Sequence, residues 1–448
     1  MRNPIPCLAF WLFFSLIFSK PSLQETFPPL LNPSLQQAFI ALQAWKNQIT
    51  SDPKNLTSNW IGPNVCSYTG VFCAPAPDNP HLTVVAGIDL NHGNIAGSLP
   101  EELGLLTCLA LFHLNSNRFG PTVPKSFAGL FLLFELDLSS NLFSGPFPAS
   151  LLNLPSLKYL DIRYNEFAGG IPFQIFNLPL DALFLNNNKF RSSIPGNVGN
   201  SPVSVLVLAN NELNGCLPRS LGQMAGTLNE IILLNNSLAS CLPVEIGKLK
   251  NATVFDVSIN ELVGPIPGTV GNMVSLEQLN VAHNKLSGDI PVSVCSLPNL
   301  KNFTFSDNYF SSEPSICLAL PSKDDRRNCI PGRPLQRLTS ECAAFLSTPV
   351  SCNGSQCLAP SSSGTPSPSR PLSPPPSVLQ PPVYNYPSPE FPPPLDLTPP
   401  EPPVYYYPTP ELPPPLDLPP PESPFDYHPT PEFPPAMDLT PPEAPYNP

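Results

Sequence analysis

One asparagine returns every 23 to 25 residues through the middle of this chain, at Asn117, Asn141, Asn165, Asn188, Asn211, Asn236, Asn260, Asn284 and Asn308. The residues around it return as well. The stretch Leu133–Pro148 reads LxxLxLxxNxFxGxxP, and an opening copy carries Gly93 in the asparagine slot, which makes ten units. A fixed period of this length means that each unit is one small structural element that cannot bury its apolar side alone, so neighbours must stack. Within a unit, Leu136 and Leu138 belong to a short strand and point into the shared core. The amide of Asn141 can donate and accept, and so can satisfy turn backbone of its own and the adjacent coil. The Gly and Pro that follow allow a sharp turn onto the opposite side.

This spacing is that of the plant extracellular leucine-rich repeat. It predicts an α/β leucine-rich repeat solenoid of about ten 23–25-residue repeats with disulfide caps, followed by a polyproline II or disordered Pro-rich tail. The expected divisions are a signal peptide at 1–22, a helical N-terminal cap at 23–80 and the solenoid at 81–317. A Cys-rich C-terminal cap at 318–358 and a tail at 359–448 complete the chain.

The leader reading rests on Arg2 followed by an apolar run from Cys7 to Phe18, too short to span a bilayer, and predicts secretion without a membrane span. An oxidising compartment turns the remaining eleven cysteines into a disulfide framework with one left over. Cys66 and Cys73 flank a short turn. Cys216 and Cys241 hold the same slot in adjacent coils, about 5 Å apart, and are expected to pair. Sequential pairing of Cys295 with Cys317, Cys329 with Cys342 and Cys352 with Cys357 is one of several arrangements open to those six. Cys108 is the expected spare thiol and the candidate for a covalent homodimer. Sequons for N-glycosylation fall at Asn55, Asn235, Asn251, Asn302 and Asn353.

From Pro33 to Thr50, Leu35, Ala38, Phe39, Leu42 and Trp45 recur at helical spacing behind Ser34, a possible cap, so an amphipathic helix should cover the first coil. The strand position between the two core residues faces the concave side. Down the stack it reads Asp89, His113, Asp137, Asp161, Phe184, Val207, Ile232, Asp256, Asn280 and Thr304. The apolar middle is extended by Ala182, Val205, Ala209 and Leu234 and surrounded by Glu135, Glu230 and Asp256. Such a patch on an exposed face suggests a binding surface. The net charge of -12 argues against nucleic acid and favours a cationic partner.

The tail after Cys357 holds ten acids against one base, Arg370, and three 21-residue units starting at Pro381, Pro402 and Ser423. Its proline density keeps it extended. Tyr384 with Tyr386, and Tyr405 with Tyr407, are spaced for oxidative cross-linking.

Beyond the period, the strings Glu101–Thr107, Phe112–Phe119, Phe134–Leu138, Val203–Asn211, Leu228–Asn236, Val254–Ser258 and Asp324–Cys329 resemble the leucine-rich repeat extensins of plant cell walls. The resemblance implies a head that binds cationic secreted peptides, the rapid alkalinization factors, and an extensin tail insolubilised among wall polymers such as pectin. Two departures stand out. Gly120 occupies a place where family heads usually carry Cys, and the tail has a single serine, Ser373, before three prolines, Pro374–Pro376, with no Lys.

No enzyme and no cofactor is expected, because His81, His92, His113, His283 and His428 have no nucleophile, metal-ligand spacing or phosphate loop beside them. The competing readings are an inhibitor of wall-degrading enzymes, of the polygalacturonase-inhibiting kind, and a purely structural wall component.

Overall fold

The chain divides into two units, Met1–Thr365 and Pro366–Pro448. A computed structural model describes residues 32–348, 350 and 352, all within the first unit. The expected signal peptide, Asn353, Cys357 and the tail with its four cross-linking tyrosines lie outside the described residues.

The described residues form the expected solenoid. A twelve-stranded sheet opens with the antiparallel pair Val71–Ala76 and Asn79–Asp89 and continues strictly in parallel, one three-residue strand per coil, to Ser322–Asp324. In each coil up to Asn302–Thr304 the central strand residue and the one following the strand are sequestered, as Leu136 and Leu138 are, while their neighbours Glu135 and Asp137 remain half-buried on the open face. This is the two-residue alternation of a strand with one face on a core. Short 3-10 turns such as Lys125–Gly129 and Val244–Lys248 run along the opposite side. One contiguous apolar core extends from Ala38 to Ile330. Phe143, Phe167 and Phe190 stack along it, with ring centroids 6.2 and 6.4 Å apart.

The recurring asparagines hold the coils in register. Asn141 Oδ1 accepts from Phe119 N in the preceding coil at 2.9 Å, while its Nδ2 donates to Leu114 O at 2.8 Å and to its own coil's Leu138 O at 3.1 Å. Asn260 repeats this with Leu238 N, Leu233 O and Val257 O. The residue before each of these asparagines is left-handed, from Ser116 to Arg327, with φ between 52° and 58°. One of them is Ile259, a β-branched residue in a conformation such residues rarely adopt.

The solenoid does not end where the period does. Ser322–Asp324 pairs in parallel with Asn302–Thr304, and Asn328 Oδ1 accepts from Phe310 N at 3.1 Å while Nδ2 donates to Phe305 O at 3.0 Å. An eleventh coil therefore occupies part of the expected cap. Asn328 follows Asn308 by 20 residues, and its strand reads Ser-Lys-Asp, so neither spacing nor leucines marked it. Lys323 takes the inward place and is neutralised there by Glu313 and Asp325, 2.5 and 2.7 Å away.

The N-terminal cap is the helix Pro33–Gln48, whose first turn is capped by Asn32 rather than Ser34: Asn32 Oδ1 accepts from Ser34 N and Leu35 N. Trp45 and Trp60 are fully buried against each other, and Trp45 covers Phe112 and Phe119 of the first coils.

Cys66 is bonded to Cys73, Cys295 to Cys317 and Cys329 to Cys342. The expected Cys216–Cys241 and Cys352–Cys357 pairs are replaced by Cys241–Cys352, across 111 residues of sequence. Geometry explains the difference. A Cβ placed on Gly264 would lie 3.0 Å from Cys241 Sγ and 2.5 Å from Cys352 Sγ, so Cys241 points one coil onward over Gly264, away from Cys216. Cys108 and Cys216 are also disulfide-bonded. Cys108 is buried against Ala76 and Val84, so it is not a spare thiol for a covalent dimer.

Replacing Asn260 by Ala strands the amide of Leu238 and the carbonyls of Leu233 and Val257, and should cost about 2–4 kcal/mol. The urea midpoint should drop accordingly; a change near zero would show that the ladder is not a source of stability. Gly264→Ala meets both a positive φ of 76° and the Cys241–Cys352 sulfurs, and should lower the yield of that bond in non-reduced peptide mapping. An unchanged yield would contradict this placement.

Candidate peptide-binding face

The parallel pairing lines up the expected row residue for residue: Asp89, His113, Asp137, Asp161, Phe184, Val207, Ile232, Asp256, Asn280 and Thr304, with Asp324 added beyond them. A second row beside it runs Leu111, Glu135, Tyr159, Ala182, Val205, Glu230, Val254 and Gln278 in the same register. Side by side, the two rows form a half-exposed apolar area built from Tyr159, Phe184, Ala182, Val205, Val207, Ile232 and Val254. Leu234 extends it, whereas Ala209, expected on this face, is buried.

Carboxylates stand at both ends of that area. Glu135 and Asp137 precede it, with His113 Nε2 3.3 Å from Glu135 Oε2. Asp137 Oδ1 accepts from Ser139 N and Oγ, which fixes the carboxylate's direction. Beyond it, Asp256 Oδ1 accepts from Ser258 N and Oγ, and its Oδ2 accepts from Asn280 Nδ2 at 3.0 Å. Glu230 lies within the second row, between Val205 and Val254.

Asp161 differs from the open rim acid expected of it. Its side chain is entirely buried, and Arg163 Nε reaches its Oδ2 at 2.9 Å. Arg163 N donates to its other oxygen at 3.0 Å, and the guanidinium lies 5.1 Å over the Phe184 ring. Tyr159 packs 5.5 Å from Phe184 on the same side. Burial is the main cause that pushes the Asp161 carboxyl up to about 6, with the Asp137 charge adding to it, and burial likewise pushes the Tyr159 hydroxyl to about 12. Tyr159 and Arg163 escaped the sequence reading, which took Glu135, Ala182, Val205 and Glu230 from the second row but passed over the tyrosine between them. Tyr159 belongs to the second row, and Arg163 lies two residues past Asp161 on the same chain.

The Asp324–Arg327 quartet is spent on internal pairs. Arg326 binds Asp324 through two nitrogens at 2.8 Å, Arg327 pairs with Asp307, and Asp325 holds Lys323 and Arg333. The Arg326 contacts hold the Asp324 carboxyl at about 2. Of the sequon asparagines, Asn55, Asn235 and Asn251 are exposed; Asn302 sits half-buried in its strand and accepts a hydrogen bond from Thr304 of its own sequon. Among the described residues there is no group of three or more His, Cys, Asp or Glu that could hold a metal, and no helix long and apolar enough to cross a membrane.

Residues 36–74 match the leucine-rich repeat N-terminal domain, and 85–167 and 275–297 match leucine-rich repeats. The Arabidopsis thaliana leucine-rich repeat extensin-like protein 6 is 62% identical over 75% of this chain and 71% of its own length. Leucine-rich repeat extensin-like protein 7 of the same plant is 63% identical over 77% and 80%. This chain belongs to the leucine-rich repeat extensin-like family. Among solved structures, the Arabidopsis receptor kinase HAESA in complex with the peptide hormone IDA and a co-receptor is 30% identical, with a TM-score of 0.53 over 65% of this chain and 54% of that one.

Asp161 gives this extensin-like chain a stability that depends on pH in a defined direction. Its carboxyl titrates near 6 in the fold against a reference of 3.8, so between those values the folded state holds the extra proton and stability falls as pH rises. Asp161→Asn should remove about 2–3 kcal/mol of that loss at pH 7 and gain nothing at pH 3.5. Thermal melts at the two pH values check it; an equal effect at both would disprove the assignment.

Proposed function

We propose that this chain is a secreted, non-enzymatic cell-wall protein whose repeat head binds a cationic signalling peptide of the rapid alkalinization factor type. In this reading the Pro-rich tail anchors the head among wall polymers such as pectin, and the pair contributes to wall organisation and growth. The observation that carries the reading is the apolar run Phe184–Val207–Ile232, framed in register by Asp137 on one side and Asp256 on the other. An extended peptide lying across the strands would meet an apolar centre that releases water and flanking carboxylates that attract basic side chains. The likeness to a receptor ectodomain crystallised with a peptide hormone supports a peptide rather than a polymer as the ligand of this face. The disulfide bonding of every described cysteine supports an oxidising compartment.

Binding of a cationic wall peptide to the purified head, followed by surface plasmon resonance, tests the reading. Phe184→Ala or Ile232→Ala should speed dissociation and cost about 1–3 kcal/mol, whereas Asp137→Asn should mainly slow association and flatten its salt dependence. Wild-type binding by both alanine variants would move the site elsewhere.

A further inference from the structure

Asp161 sits in the row whose other members are exposed or half-exposed, yet its carboxylate is wholly withdrawn from water. A buried charge needs a cation, and the one present comes from two residues along the same chain: Arg163, itself 38% exposed, reaching back over the face. Its guanidinium is held as a protein holds a bound arginine, with a carboxylate oxygen at 2.9 Å from Nε and an aromatic ring beneath. Tyr159, with its hydroxyl 3.4 Å from Asp161 Oδ2 and its ring against Phe184, closes the far side. The surroundings hold more negative than positive charge. Asp137 is the neighbour of Asp161 in the ladder and Glu135 is the neighbour of Tyr159, while Arg163 is the permanent cation in contact with Asp161.

We propose that Asp161, Phe184 and Tyr159 form a seat for one guanidinium group, and that Arg163 fills this seat in the free protein as an internal stand-in for an arginine side chain of the ligand. Arg163 has open solvent to swing into, and an incoming arginine would regain the carboxylate and ring contacts while bringing a second cation to Asp137 and Glu135. Exchange of like for like leaves the buried carboxylate neutralised throughout. The identity of the ligand as a basic peptide rests on the reading above; the seat itself does not.

Ethylguanidinium, at concentrations well below those that denature, probes the seat without any peptide. It should raise the melting temperature of the Arg163→Ala head, leave the wild type unchanged, and lose its effect in the Asp161→Asn, Arg163→Ala double variant. Arg163→Gln carries the same test if the alanine variant does not fold. A tetra-arginine peptide should bind Arg163→Ala about tenfold tighter than wild type, while Lys158→Ala, which removes an equal charge just before the strand, where Lys158 pairs with Asp181, should gain much less. An absence of ethylguanidinium rescue, or equal gains from the Arg163 and Lys158 variants, overturns the seat. Rescue without any binding of basic peptides keeps the seat and overturns the peptide reading.

Discussion

Every coil of this protein depends on a side-chain amide that can give and take hydrogen bonds at once. The ladder asparagine accepts from one backbone N–H of the coil before it and donates to carbonyls of both coils, so a single residue satisfies polar groups that the tight turns leave unpaired inside the core. A carboxylate could not donate and a leucine could do neither. The ends of the stack follow from the same requirement. At the start, Gly93 has no amide to offer, and Asn117 Oδ1 lies 2.9 Å from where its Cβ would be, so the helix with Trp45 and Trp60 closes the core there. At the far end Asn328 supplies a last rung, and Lys323, Glu313 and Asp325, largely withdrawn from water, form with the half-exposed Arg333 a set of alternating charges.

Because the inward leucines and the asparagine fix the geometry, the outward strand positions do not have to fill the core and can vary in chemistry while keeping a set spacing. This is why the row from Asp89 to Thr304 was legible from sequence alone: one period assigns each residue its place, and the backbone pairing keeps that order without a slip. What was not legible is whatever depends on the direction of a side chain rather than on its slot. Cys216 and Cys241 share a slot, but the sulfur of Cys241 is turned toward the next coil, where Gly264 leaves room for Cys352 to come in from outside. Asp161 shares a slot with Asp137, yet Arg163 folds over it and Tyr159 walls it in, and neither contact follows from the slot. The eleventh coil was hidden for a different reason: it keeps the hydrogen bonds of the repeat while giving up its apolar residues and its length.

The face that results is graded. Its first coils carry fixed carboxylates, its centre is apolar and aromatic, and its last coils turn to Asn280 and Thr304 before ending in paired arginines and aspartates. A chain laid across it would meet a different environment at each step of one strand spacing, about 4.8 Å, and its two ends would not be equivalent.

The bond between Cys241 and Cys352 closes a covalent ring that contains the last coils, the eleventh among them, and the helix Thr339–Leu346. A pull on the chain at Cys352 is therefore carried by sulfur into the flank of the solenoid at Cys241. It does not pass in series through the terminal coils, so those coils cannot be peeled off one after another as the end of a simple stack would be. Mechanically, such a pull is taken at an interior point of the solenoid, and the portion of the head most weakly marked by the repeat is the portion the ring encloses.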